Sequence, residues 1–67
     1  MKILILGDIM GVSGRKAVEE NLEKIIEKNK IDFTILNGEN SADDGRGITK
    51  SIANEFFSYG VDVITSG

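Results

Sequence analysis

The stretch Lys2-Ile3-Leu4-Ile5-Leu6 is apolar at odd and even positions alike and runs directly into Gly7-Asp8. A strand with one wet face alternates apolar and polar residues, so an unbroken aliphatic run asks for cover on both faces, as in a parallel sheet. Phe33-Thr34-Ile35-Leu36 and Val61-Asp62-Val63-Ile64-Thr65 read as two further strands. From Ser13 onward, Val18, Leu22, Ile25 and Ile26 recur at helical spacing, with Glu19, Glu20, Glu23, Lys24, Glu27 and Lys28 opposite them. That pattern predicts an amphipathic helix of about four turns. Ile48, Ile52 and Phe56 predict a second helix, with Ala53 and Phe57 beside them, Thr49 as its N-cap and Gly60 as its stop.

The resulting order is β-α-β-α-β, an α/β fold. Crossovers between parallel strands are right-handed in nearly all cases, so the three strands should be parallel with their C-terminal ends together. If the strand order runs in one direction, both helices cover the same face and the other face needs more protein. With no linker, repeat or low-complexity tract in view, residues 1–67 read as the N-terminal fragment of one longer domain, with no internal boundary.

Composition narrows the function. Sixty-seven residues make one small unit, and a chain of this size buries only about 60% of its unfolded surface. There is no cysteine, hence no disulfide framework and no thiolate metal site, which suits a cytoplasmic setting. Eight Lys and Arg against eleven Asp and Glu give a net charge of −3, with the basic residues scattered, so no extended nucleic-acid surface is expected. The longest apolar run, Ile3 to Leu6, is too short to span a membrane.

Two acidic loops follow the first two strands, Gly7-Asp8 and Asn37-Gly38-Glu39-Asn40, and open α/β folds build their sites at that sheet edge. Asp8 can ligate a hard cation such as Mg, Mn or Fe, or it can simply accept hydrogen bonds from its own turn. Glu39 can bridge two cations, and an Asn oxygen can fill a coordination position without adding charge; the bland reading of Glu39 is a solvated loop residue. Gly11 and Gly14 let the backbone pass close to a ligand, and the Gly7 to Gly14 spacing suggests a phosphate-binding turn. The match to either glycine-rich phosphate motif is poor, because Asp8 would face the phosphates with like charge. Arg15 and Lys16 either touch an anionic substrate or pair along the helix with Glu19 and Glu20. Asp43-Asp44-Gly45 has the wrong ligand spacing for a calcium loop and reads as a turn.

Taken together, ILILGDIMGVSGRKAV, NGENSADDGRGIT and GVDVITSG resemble the start of the YmdB-like group of calcineurin-like metallophosphoesterases, which includes bacterial 2′,3′-cyclic-nucleotide phosphodiesterases. The resemblance runs along essentially the whole chain but over only the first part of a longer family chain. It implies the opening part of a metallophosphoesterase-type sheet sandwich flanked by helices, with two divalent ions at the strand ends: iron or manganese first, magnesium next. It also implies that Asp8 ligates the first metal, Glu39 is shared by both and Asn40 is a further ligand of the first. The general-acid histidine is expected just after Gly67, so no catalytic residue falls within these residues, which contain no histidine at all.

The expected function is therefore that of the N-terminal part of a dinuclear-metal phosphodiesterase, inactive alone, acting on a small phosphodiester or cyclic-nucleotide substrate. Two alternatives stand beside it. One is a small nucleotide- or anion-binding βαβ module built on the Gly7 to Gly14 turn. The other is a non-catalytic α/β unit that assembles, as a homo-oligomer for instance, through its uncovered sheet face.

Overall fold

Strands β1 (Ile3–Asp8), β2 (Phe33–Asn37) and β3 (Val63–Thr65) alternate with helices α1 (Gly11–Asn29) and α2 (Lys50–Ser58) in the computed structural model. It describes residues 1–43 and 45–66; Asp44 and Gly67 lie outside the described residues. The sheet order is β1-β2-β3 and both pairings are parallel, so the order does run in one direction.

Both helices consequently pack on one face. Val18 and Leu22 of α1 and Ile52 and Phe56 of α2 meet Leu36 of β2 in the core, joined by Val61, with Leu4, Leu6, Ile48 and Ile64 against them. Leu22, Leu36 and Phe56 are fully buried. The opposite parity of the strands faces outward: Ile3 is 53%, Ile5 71% and Val63 41% exposed. The run that is apolar on both parities is thus covered by these residues on one side only.

Aspartates set the register at the N-terminal edge. Asp32 immediately precedes β2, and its carboxylate accepts from the Lys2 N–H at 2.7 Å while its own N–H donates to the Lys2 carbonyl at 2.8 Å. Asp62 repeats the device before β3: Oδ2 accepts from the Thr34 N–H at 2.8 Å, and the Asp62 N–H donates to the Thr34 carbonyl at 2.9 Å. Each aspartate closes the ladder at a strand start, where a backbone group would otherwise lack a partner. Asp62 lies just outside β3, so that strand is shorter than its apolar run.

Helix α1 starts at Gly11, two residues before the expected Ser13, and runs for 19 residues. Its end is a left-handed Lys30 (φ 52°), with the Ile31 N–H donating to the Ile26 carbonyl at 3.0 Å, a Schellman closure made without glycine. Helix α2 matches its signals. The Thr49 hydroxyl accepts from the Ile52 N–H at 3.1 Å, and Gly60 takes φ 110° just beyond the helix. Ile48 precedes α2 and still packs on the core, whereas Phe57 is 48% exposed. No described helix is long and apolar enough to cross a membrane.

Candidate metal centre

β1 and β2 end side by side. Register runs from Ile3 opposite Phe33 to Leu6 opposite Leu36, then slips by one residue at Gly7, so that Asp8 rather than Gly7 faces Asn37. A bulge of this kind re-aims the residue that follows it, and bulges are common beside functional sites. Asp8 is therefore the last residue of β1 rather than the start of a loop.

The chain leaves β2 in a tight turn. The Ser41 N–H donates to the Gly38 carbonyl at 3.2 Å, which puts Glu39 and Asn40 at the two central positions of a four-residue turn. Asn37 braces it from below: its Oδ1 accepts from the Glu39 N–H at 3.1 Å, and its Nδ2 lies 3.5 Å from Glu39 Oε1. Ser41 is fully buried, with its hydroxyl donating to the Gly38 carbonyl at 2.7 Å. Gly38 is buried as well, held by its N–H donating to the Thr65 carbonyl at 2.9 Å. A Cβ at Gly38 would lie 3.0 Å from Ile48 Cδ1 and 3.1 Å from Ile64 Cγ2, so any larger residue there would push on these two side chains.

This turn returns Asn40 to Asp8. Asn40 Nδ2 donates to Asp8 Oδ1 at 3.1 Å and Oδ2 at 3.2 Å, and the Asn40 carbonyl accepts from the Gly11 N–H at 2.9 Å. Asp8 is exposed, and Glu39 and Asn40 are half-buried. Two carboxylates and an amide thus share one edge of the sheet, and Asp8 and Asn40 are in direct contact. All their donor atoms are hard oxygens, the set that magnesium, manganese and iron(II) accept. Among the described residues, no three His, Cys, Asp or Glu cluster closely enough to enclose an ion by themselves. Asp8, Glu39 and Asn40 could offer oxygen donors of the kind divalent cations accept, but only as part of a ligand set.

Gly14 accommodates Ile9, whose Cγ2 would lie 3.0 Å from an added Cβ. Gly11 takes φ 54° and spends its N–H on Asn40. Both glycines make contacts within the protein. Arg15 departs from the expected helix pairing. Lys16 does reach Glu20, at 4.0 Å, but Arg15 turns away from its own helix to the Ser41 carbonyl and to Asp43. Nothing in the local sequence marks the Arg15–Ser41 link, because it joins residues 26 positions apart. The Gly45 N–H donates to the Ala42 carbonyl at 2.8 Å; the expected turn runs through Asp44, which lies outside the described residues.

The fold matches that of a solved phosphatase from Mycoplasma pneumoniae over 96% of this chain and 22% of that one, at a TM-score of 0.90 and 31% identity. The chain belongs to the YmdB-like protein family, whose model matches residues 4–67. It is 45% identical over all 67 residues to the 2′,3′-cyclic-nucleotide 2′-phosphodiesterase of Bacillus subtilis strain 168, and 34% identical to a Mycoplasma genitalium protein that carries the name phosphatase/phosphodiesterase. It spans 25% and 24% of the length of these relatives.

Proposed function

We propose that these residues supply part of a dinuclear metal centre of a phosphodiesterase whose substrates are 2′,3′-cyclic nucleotides or related small phosphodiesters. The observation that carries the reading is the contact of the Asn40 amide with the Asp8 carboxylate at the carboxyl edge of the sheet, in a chain 45% identical to a cyclic-nucleotide phosphodiesterase. Asp8 and Asn40 would hold one ion, and Glu39, one position before Asn40 in the same turn, would hold that ion and a second. When bound, such ions supply Lewis-acid polarisation of phosphoryl oxygens and neutralise their charge.

The chain's own residues do the positioning. The Gly7 bulge and the Gly38 turn bring side chains 32 positions apart in sequence into contact. Ligation by Asn40 would use its Oδ1, the other end of the amide from the Nδ2 that meets Asp8, so the amide would have to turn about for Asn40 to hold an ion. Asp8, Glu39 and Asn40 would offer anionic or neutral oxygen to an ion, and no side chain among these 67 residues is an imidazole that could act as the general acid. A leaving ribose oxygen would be protonated by a group supplied from elsewhere. In the anion-binding alternative, the Gly11 N–H is one donor already committed to Asn40.

The test is hydrolysis of bis-p-nitrophenyl phosphate and 2′,3′-cyclic AMP with manganese or iron(II). The 67-residue chain should give no turnover above a metal-only blank. A chain of the relatives' length that carries these residues should give saturable turnover that Glu39→Gln removes. Saturable turnover by the 67 residues alone, abolished by Glu39→Gln, would overturn the need for an outside general acid.

A further inference from the structure

The loop that carries Asn40 is tied to α1 at two successive residues. The Asn40 carbonyl takes the Gly11 N–H, and the Ser41 carbonyl takes Arg15 Nη1 at 2.8 Å. The same Nη1 donates to Asp43 Oδ1 at 2.7 Å. The two arms are unequal. Asp43 is 79% exposed at its side chain, where screening leaves an ion pair little strength. Ser41 is fully buried and the Arg15 side chain only 19% exposed, so the carbonyl contact is a charge-assisted hydrogen bond in a low-dielectric setting. All of Ser41's polar groups are committed: N–H and hydroxyl to Gly38, carbonyl to Arg15.

Helix α1 follows β1 directly, and β1 ends at Asp8. A side chain that anchors Ser41 to α1 therefore fixes the distance between the two halves of the candidate centre. We infer that Arg15 is a positioning residue: through the Ser41 carbonyl it holds the Glu39–Asn40 turn in register with Asp8. Its relevance to catalysis rests on the metal-centre reading above, but the geometric claim stands without any metal.

The experiment uses metal-free protein and two NMR readouts: the nuclear Overhauser effect between the Asn40 side-chain amide and Asp8, and hydrogen exchange of the Gly11 N–H. Arg15→Met keeps the aliphatic stem and removes every donor. It should weaken the Asn40–Asp8 effect and speed Gly11 exchange by about tenfold, with exchange in the middle of β2 unchanged. Arg15→Lys should recover most of the loss, because the ammonium still donates to the carbonyl, and Asp43→Asn should stay within about twofold of the parent because its arm is screened. Should Arg15→Met fail to fold, Arg15→Gln reads the same two signals without the charge. Parental Gly11 exchange in a folded Arg15→Met or Arg15→Gln protein overturns the inference, as does equal loss in Asp43→Asn. Manganese titration of the same samples separates the two ideas: absence of binding in the parent sinks the metal reading and leaves the positioning result intact.

Discussion

Asn40 Nδ2 bridges the two carboxylate oxygens of Asp8, at 3.1 and 3.2 Å, from a turn that begins on the neighbouring strand. The contact spans the carboxyl ends of β1 and β2 and depends on features that otherwise cost stability: a bulge at Gly7, a buried glycine at 38 and a buried serine at 41. Bulges of this kind are over-represented beside functional sites.

Gly38→Ala tests how the turn is seated. The added methyl meets Ile48 and Ile64 at 3.0 and 3.1 Å, and overpacking of this kind should cost about 1–2 kcal/mol. Urea denaturation followed by circular dichroism measures it, and an unchanged midpoint would mean that the two isoleucines simply yield.

Lys30→Gly should stabilise the protein. Lys30 sits at φ 52° and ψ 52° in the Schellman closure of α1, a conformation that costs a residue with a Cβ about 1–2 kcal/mol. Part of that gain is offset by the greater freedom of glycine in the unfolded chain. A melting temperature equal to or below the parent's would contradict the strain at this position.

Tyr59 gives a pH signature. Burial pushes its phenol above the ordinary tyrosine value, Glu19 and Glu55 add to the rise and Arg15 opposes it. The folded state thus holds this proton more tightly than the unfolded one. Its contribution to stability is full below about pH 10, where a free phenol ionises, and is lost as pH rises through the folded value. As Tyr59 is the one tyrosine in the chain, absorbance titration near 295 nm reads it alone. Arg15→Met should raise the midpoint further, because an opposing positive charge is removed; a lowered midpoint would contradict this assignment of charges.

The bare sheet face predicts self-association. Ile3, Ile5 and Val63 present aliphatic surface with no layer from these residues above it, and exposed apolar sheet surface is sticky. Sedimentation of the 67-residue chain should show concentration-dependent oligomers, reduced in Ile5→Lys. A monodisperse monomer with a sharp reversible melt would count against an open face.

The element order was legible from Ile3–Leu6 and its two counterparts, because both-parity apolar runs separated by helical patterns leave few topologies. That Asp8 and Asn40 would share an edge followed from the same reasoning. The start of α1 was not legible: Gly11 and Gly14 look like loop residues, and only the packed structure shows one glycine making room for Ile9 and the other donating to Asn40. The Arg15 link to Ser41 and the aspartate closures at Lys2 and Thr34 were equally hidden. Each joins residues 26 to 30 positions apart, and local spacing carries no record of such contacts. The left-handed Lys30 escaped for a simpler reason, since the sequence signal for that cap is a glycine.

Manganese titration of the 15N-labelled 67-residue chain tests the central claim most directly. Paramagnetic broadening should reach Asp8, Glu39 and Asn40 first and with one shared midpoint, the Asn40 side-chain amide among the earliest signals lost. Asp8→Asn and Glu39→Gln should each raise that midpoint several-fold, and more than Asn40→Ala, because each removes a charge from the centre. Broadening that begins at the helix carboxylates Glu23 and Glu27, or a midpoint indifferent to Asp8→Asn and Glu39→Gln, would contradict a metal centre at this edge of the sheet.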